Sequence, residues 1–163
     1  MKYKIRQEKP GDEDAIRDVV ARAFAEMPFG DDNDQHIVDG LRESGALVLS
    51  LVAHSGQTVI GQVALSPASI GDARYLCLGP IAVSPDHQRK GVGSALMGHA
   101  LGVAQAYGRD GVVLMGNPAY YSRFGFEKFD AVTFDGEGAE YIQVLPFGPS
   151  PEGAVKFHAV FSG

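Results

Sequence analysis

The chain has 163 residues, 45% hydrophobic and 21% charged, which suffices for one compact domain and is too short for two ordinary ones, so residues 1–163 are read as a single domain. Fourteen Lys and Arg against 20 Asp and Glu give a net charge of −6, which opposes non-specific nucleic-acid binding and favours a cationic small molecule. No run approaches the roughly 18 apolar residues of a membrane span, the first residues hold no apolar signal core, and one cysteine cannot form an internal disulfide; a reduced, cytoplasmic protein with no membrane partner is expected.

"KYKIR" (2–6) alternates like a short strand, and "PGD" turns the chain into a helix with Asp12 as candidate N-cap. Ile16, Val19, Val20, Ala23 and Phe24 then recur at helical spacing and form one apolar face. The loop "EMPFGDDND" (26–34) leads to a second short helix with Ile37, Val38 and Leu41 on its buried side, closed by Gly45. "ALVLSLVAH" and "TVIGQVALS", joined by "SGQ", read as a hairpin. The segment 68–85, "ASIGDARYLCLGPIAVSP", adds a turn and a buried strand in which Cys77 is read as a structural thiol. Pro80 has no N–H for the ladder there, so a bulge is expected.

After the stretch "HQRKGVGSAL" (87–96), Ala95, Leu96, Ala100, Val103, Ala104 and Tyr107 fall on one helical face, with Gly98 and Gly102 free to let neighbouring backbone approach and Gly108 as C-cap. "GVVLMG" (111–116) is a continuous apolar run that fits a buried parallel strand reached through that helix. "VTFDGEGAEYIQVLPF" (132–147) reads as a hairpin around "DGEG", and "AVKFHAVF" (154–161) as a last strand.

A loop of two glycines and two cations at a helix start can aim several N–H groups at one anion. A nucleoside-triphosphate loop requires G-x-x-x-x-G-K-[ST], and that spacing is absent. A dinucleotide loop requires a small residue where Leu96 stands and follows the first strand closely, whereas "SPDHQRK" intervenes here. Taken alone, a tight turn before a helix remains the plain alternative. The five histidines are scattered, and no spacing suggests a metal.

The run Gln88-Arg89-Lys90-Gly91-Val92-Gly93 resembles the Q/R-x-x-G-x-G/A pyrophosphate loop of the Gcn5-related N-acetyltransferase (GNAT) superfamily. "AYYSRFGF" (119–126) resembles the later Tyr-x-x-x-Gly-Phe element in the right order, and the flanks are similar to a bacterial YhbS-like subgroup of predicted acetyltransferases. The resemblance implies an α+β fold: a mixed, mostly antiparallel twisted sheet of about seven strands with flanking helices and a splayed parallel strand pair at the cofactor site. It implies acetyl-CoA as cofactor and direct transfer of its acyl group to a primary amine of a small molecule or peptide, by a monomer or homodimer. N–H groups from Arg89, Lys90, Gly91, Val92, Gly93 and Ser94, with Gln88, would cradle the pyrophosphate. Ile81, Ala82 and Val83 would pair with the pantetheine arm, and the bulge at Pro80 would free the Ile81 N–H to polarise the thioester carbonyl.

Tyr121 matches the family tyrosine, four residues before Gly125, and is implied to hydrogen-bond the departing sulfur; Tyr120 does not match. A phenol at its reference value near 10 facing a thiol near 8.5 makes full proton transfer uphill by roughly 2 kcal/mol, which leaves hydrogen bonding as the expected role. Asn117, also assigned to the cofactor site, stands four residues before Tyr121 where many members have seven, with Pro118 between. Many members also carry a Glu on the fourth strand as base, and "RYLCLGPIAV" has no carboxylate, so the base is unassigned. Glu26, Asp31, Asp32 and Asp34 fall in the segment that lines the acceptor side in relatives, where they either attract a cationic amine or are a solvated helix cap. The missing strand carboxylate leans toward a second reading, a non-catalytic acyl-CoA-binding or regulatory module of the same fold.

Overall fold

The computed structural model describes residues 2–25 and 34–162. Along the chain lie β1 (Lys4–Gln7), α1 (Glu13–Ala25), α2 (Ile37–Glu43), β2 (Leu49–Ser55), β3 (Thr58–Ile70) and β4 (Ala73–Val83). These are followed by α3 (Val92–Tyr107), β5 (Gly111–Met115), α4 (Pro118–Tyr121), β6 (Val132–Thr133), β7 (Ile142–Pro146) and β8 (Gly153–Lys156), with short 3₁₀ turns at the connections. The strands run in the order β1-β2-β3-β4-β5-β7, with β8 paired to both β3 and β6. The described residues thus hold eight strands where about seven are expected, the extra one being the two-residue β6. Ladders within the sheet are antiparallel except β4–β5, and β6–β8 is also parallel.

Two faces of the sheet are covered differently. Ile16, Val19, Val20 and Ala23 of α1 pack with Val38 of α2 on Val52, Ala64 and Ala82, as the helical spacing requires. On the other face α3 lays Val92, Leu96, Met97, Ala100 and Ala104 on Val63, Leu65, Leu76, Val112 and Leu114. Gly61 makes room for this helix, since a Cβ there would sit 2.9 Å from Leu96 Cδ1. Removing the Leu96 side chain would leave a cavity in this seam at a cost of about 2–5 kcal/mol. Tyr75, Cys77, Val113, Val144 and Val155 form a third cluster, with Phe129, Phe134, Phe157 and Phe161 against it.

Several expectations are corrected. Val103 and Tyr107 are exposed, because the buried stripe of α3 runs through Val92, Leu96, Ala100 and Ala104 with Met97 beside it. Gly98 and Gly102 face open space and admit no neighbouring backbone. Segment 132–147 is not a hairpin: β6 pairs with β8 and β7 with β5, since each strand finds its partner elsewhere in the sheet. The last strand ends at Lys156, and Ala159–Ser162 is a 3₁₀ turn. Asp12 precedes α1 as expected and its carbonyl accepts from the Ile16 N–H, but its carboxylate turns back to Arg6 and to the Lys9 N–H instead of capping the first turn.

Candidate functional site

The β4–β5 pair is joined in register only at Leu76–Val112 and Cys77–Val113. Beyond these residues the two strands separate. β4 leaves the ladder because Gly79 and Pro80 together oppose the single residue Ala64, which shifts its register with β3 between Leu65–Leu78 and Val63–Ile81. This is the bulge expected at Pro80. Ile81, Ala82 and Val83 continue to pair with Val63, Gln62 and Gly61, so their outer edge faces the gap. Ala82 is buried beneath α1, whereas Ile81 and Val83 lean toward the α3 side.

The loop at the mouth of this gap has an unusual backbone. Arg89 has φ +63°, the single non-glycine residue in the left-handed region among those described, and Gly91 follows at +85° as N-cap of the 16-residue α3. A long side chain held in that region costs of order 1 kcal/mol and is kept where the surrounding geometry demands it. Left-handed backbone at Arg89 and Gly91 can turn neighbouring N–H groups to one side, and the α3 N-terminus adds its positive dipole end. Nothing lies within 4 Å of a Cβ built on Gly91. Lys90 and Ser94 are exposed beside the loop, while Val92 is buried in the core and offers only its backbone. The Gln88 amide donates to the Val83 carbonyl at 3.0 Å, tying the loop to the end of β4, so its side chain braces the loop.

The β5 strand leads through Gly116 and Asn117 into α4. The Asn117 Oδ1 accepts from the Ala119 N–H at 2.9 Å, so this side chain caps the short helix instead of standing free. The Tyr121 ring is packed where a side chain on Gly116 would have to go, and Phe126 meets it edge-on at 6.2 Å. Burial, with a smaller contribution from Tyr120, pushes the Tyr121 phenol up to about 12. Tyr120 takes a position its sequence did not signal: its hydroxyl lies 3.1 Å from where a Cβ of Gly93 would be, so it spans from α4 to the start of α3. Arg123 stacks over the Tyr120 ring at 4.9 Å.

The structure therefore brings the loop and the free edge of β4 together, with the Tyr120 hydroxyl at the start of α3 and the Tyr121 ring packed on Gly116 at the end of β5. Of the acidic segment, Glu26, Asp31 and Asp32 lie outside the described residues, and Asp34 opens a 3₁₀ turn before α2. Cys77 sits at the vertex of the divergence, and burial lifts its thiol to about 12, which fits a structural role and not a nucleophile.

Comparison with known proteins gives this arrangement its class. Residues 47–128 match the Acetyltransferase (GNAT) domain family, a span that contains the diverging strands, the loop, α3 and the tyrosine pair. The chain is 36% identical over 126 residues to the uncharacterized N-acetyltransferase YhbS of Escherichia coli K12, covering 76% of this chain and 72% of that one. Among solved structures, a GNAT family acetyltransferase from Brucella melitensis in complex with acetyl-CoA superposes with a TM-score of 0.86 and 39% identity over 98% of both chains. Escherichia coli YhbS in complex with CoA superposes with a TM-score of 0.89 and 31% identity, over all of this chain and 93% of that one. This chain belongs to the GNAT acetyltransferase family. No helix among the described residues is long and apolar enough to cross a membrane.

Proposed function

We propose that this protein binds acetyl-CoA in the β4–β5 cleft and transfers the acetyl group directly to a primary amine of a small molecule or peptide. The observation that carries the reading is the coincidence of a strand pair that parts after two register positions with a left-handed loop and helix N-terminus at its mouth. The residues present fit such a ligand. Open space at Gly91, a left-handed Arg89 and the helix N-terminus suit a pyrophosphate, and the unpaired outer edge of Ile81, Ala82 and Val83 suits an amide-bearing arm that adds like a strand. The two relatives with coenzyme bound support the same assignment.

Acetyl-CoA supplies the thioester: the amine nitrogen forms the new C–N bond, the C–S bond breaks, and the sulfur departs with the electron pair. In this reading the N–H groups of Arg89, Lys90, Gly91, Val92, Gly93 and Ser94 hold the pyrophosphate, with Gln88 bracing the loop through Val83. The Ile81 N–H, next to the bulge, polarises the thioester carbonyl. Tyr121 is the catalytic residue, donating a hydrogen bond from its hydroxyl to the sulfur as charge builds there. A phenol near 12 facing a thiol near 8.5 would need roughly 5 kcal/mol to give up its proton fully, so it stabilises the thiolate without protonating it. The acceptor's ammonium must first lose a proton so that the neutral amine nitrogen can attack; with no carboxylate on β4, that proton and the second one, released as the amide forms, pass to water.

That missing carboxylate also favours a second reading, a coenzyme-binding module without turnover. Both bind acetyl-CoA, and they part on thiol release. A screen of amines, polyamines, aminoglycosides and peptides with acetyl-CoA, reading free thiol, tests them: release above the hydrolysis background with some acceptor supports the enzyme, and tight binding with no release supports the module. Absence of acetyl-CoA binding overturns both.

A further inference from the structure

The four-residue helix α4 is too short to hold itself. A single turn fixes several backbone dihedrals for one or two hydrogen bonds, so its place and tilt come from whatever grips the chain on either side. β7 grips both sides. After the helix, the Glu127 N–H donates to the Val144 carbonyl at 3.0 Å and the Val144 N–H donates back to the Glu127 carbonyl at 2.8 Å. Before it, the Gly116 N–H donates to the Tyr141 carbonyl at 3.0 Å, and the Gly116 carbonyl accepts from the Gln143 side-chain amide at 2.7 Å. The backbone bonds form whatever side chains are present. The last one depends on a single residue.

Gln143 stands where an aliphatic side chain would suffice. It pairs in register with Leu114, next to the Leu145–Val112 pair, and directly opposed residues of an antiparallel ladder share a face. Leu114, Val112 and Leu145 belong to the cluster under α3, and Gln143 is only 2% exposed in their row. Burying an amide there costs stability unless it is bonded. What this amide holds is the carbonyl of the residue on which the Tyr121 ring rests, since a Cβ on Gly116 would collide with that ring. The same peptide leads into Asn117, whose carbonyl accepts from the Tyr121 N–H at 3.1 Å. Tyr121 is thus tied to Gly116 through its ring and through one residue of backbone, and Gln143 fixes the plane of that glycine's peptide.

Resting on the acyltransfer reading above, in which the Tyr121 hydroxyl meets the sulfur, we propose that Gln143 is the positioning residue for Tyr121: its amide sets the Gly116 peptide and with it the direction of the phenol. Hydrogen bonds weaken steeply with misalignment, so a small tilt of α4 removes the contact with sulfur and leaves the sheet folded.

The test needs no acceptor amine. The protein is labelled with 3-fluorotyrosine, and the Tyr121 resonance is identified by its loss in Tyr121→Phe. Fluorine spectra are recorded with saturating CoA and with desulfo-CoA, in which hydrogen replaces the thiol, and calorimetry gives the affinity for CoA. In the parent the two ligands should give different Tyr121 shifts. Gln143→Met fills the same space without an N–H and should lose that difference while CoA affinity stays near the parent's; a glutamine with a merely structural role would lower thermal stability and leave the difference intact. Gln143→Glu, whose carboxyl donates only when protonated, should keep the difference at about pH 5 and lose it at about pH 8, on either side of the value to which burial lifts a glutamic acid. This variant decides the matter if Gln143→Met does not fold. A parental difference in Gln143→Met, or one present at both pH values in Gln143→Glu, overturns the role of Gln143 and leaves that of Tyr121 intact. A parent in which CoA and desulfo-CoA give the same Tyr121 shift overturns the contact between Tyr121 and sulfur, and this inference with it. A parent that binds neither ligand overturns the acyltransfer reading as well.

Discussion

The adjacent tyrosines are alike in sequence and different in surroundings. Tyr121 is packed against Gly116 and Phe126, whereas the Tyr120 hydroxyl stands over Gly93 at the loop. If the Tyr121 hydroxyl acts on the sulfur only as charge develops, Tyr121→Phe should lower kcat about 100-fold or more and leave the acetyl-CoA Kd nearly unchanged. Tyr120→Phe should do the reverse on a smaller scale, weakening acetyl-CoA a few-fold with kcat held. Calorimetric titration beside a steady-state assay separates the two, and equal losses in both variants would withdraw the chemistry from this element. Cys77 supplies a check that transfer is direct and does not pass through a protein thiol. With its thiol near 12 and its side chain buried, iodoacetamide should alkylate it only after denaturation. Alkylation in the native state at the rate of a free thiol would reopen a covalent route.

At the scale of the element, the loop from Gln88 to Ser94 would, in the proposed reading, act through backbone, and backbone requirements leave a local trace in sequence. Gly91 needs φ +85°, and a Cβ on Gly93 would press on the Tyr120 hydroxyl at 3.1 Å. Both demands are visible as glycines within three residues, and the bulge at Pro80 was equally legible because proline cannot donate to a ladder. Gly93→Val should therefore weaken acetyl-CoA binding by at least about 10-fold, since the branched side chain either displaces Tyr120 or intrudes on the ligand; a folded variant with parental affinity would remove the loop from the site. Partner choice among strands leaves no such trace. The apolar alternation of 132–147 suits a hairpin, but β6 joins β8 and β7 joins β5, and neither pairing is encoded within the segment itself. The exposed side of α3 was misread for a related reason: Val103 and Tyr107 extend the apolar count of the helix, but the stripe that meets the sheet is set by what α3 packs on.

For the molecule as a whole, β1, α1 and α2 are joined by a chain of ion pairs as well as by their apolar faces. Arg6 of β1 holds Asp12 at 2.7 Å, Arg17 of α1 holds Asp39 of α2 at 2.6 Å, and Arg42 of α2 holds Glu8 at 2.8 Å. These contacts tie β1, α1 and α2 together, so their packing rests in part on charge pairing that acid can undo. The Asp12 carboxyl is held below its ordinary range, chiefly by the Arg6 hydrogen bonds, against the opposing effect of burial and with help from the Lys9 N–H. Arg6 is raised by the same contact, so both partners agree in sign. A carboxyl lowered in the folded state binds fewer protons there than in the unfolded chain, so its contribution is complete above the unfolded value near 4 and is lost as pH falls through the folded value. Asp12→Asn should then cost about 1 kcal/mol at pH 7, within the range for a partly exposed pair, and the gap from the parent should narrow as pH drops below about 4. Urea unfolding of both proteins at pH 7 and at pH 3 measures it. No gap at either pH would mean that Asp12 acts through the hydrogen bond it accepts from the Lys9 N–H, which asparagine also accepts, and that the ion pair with Arg6 contributes nothing to holding α1 against the edge of the sheet; an equal gap at both would mean that the cost of the substitution does not come from the carboxylate's charge.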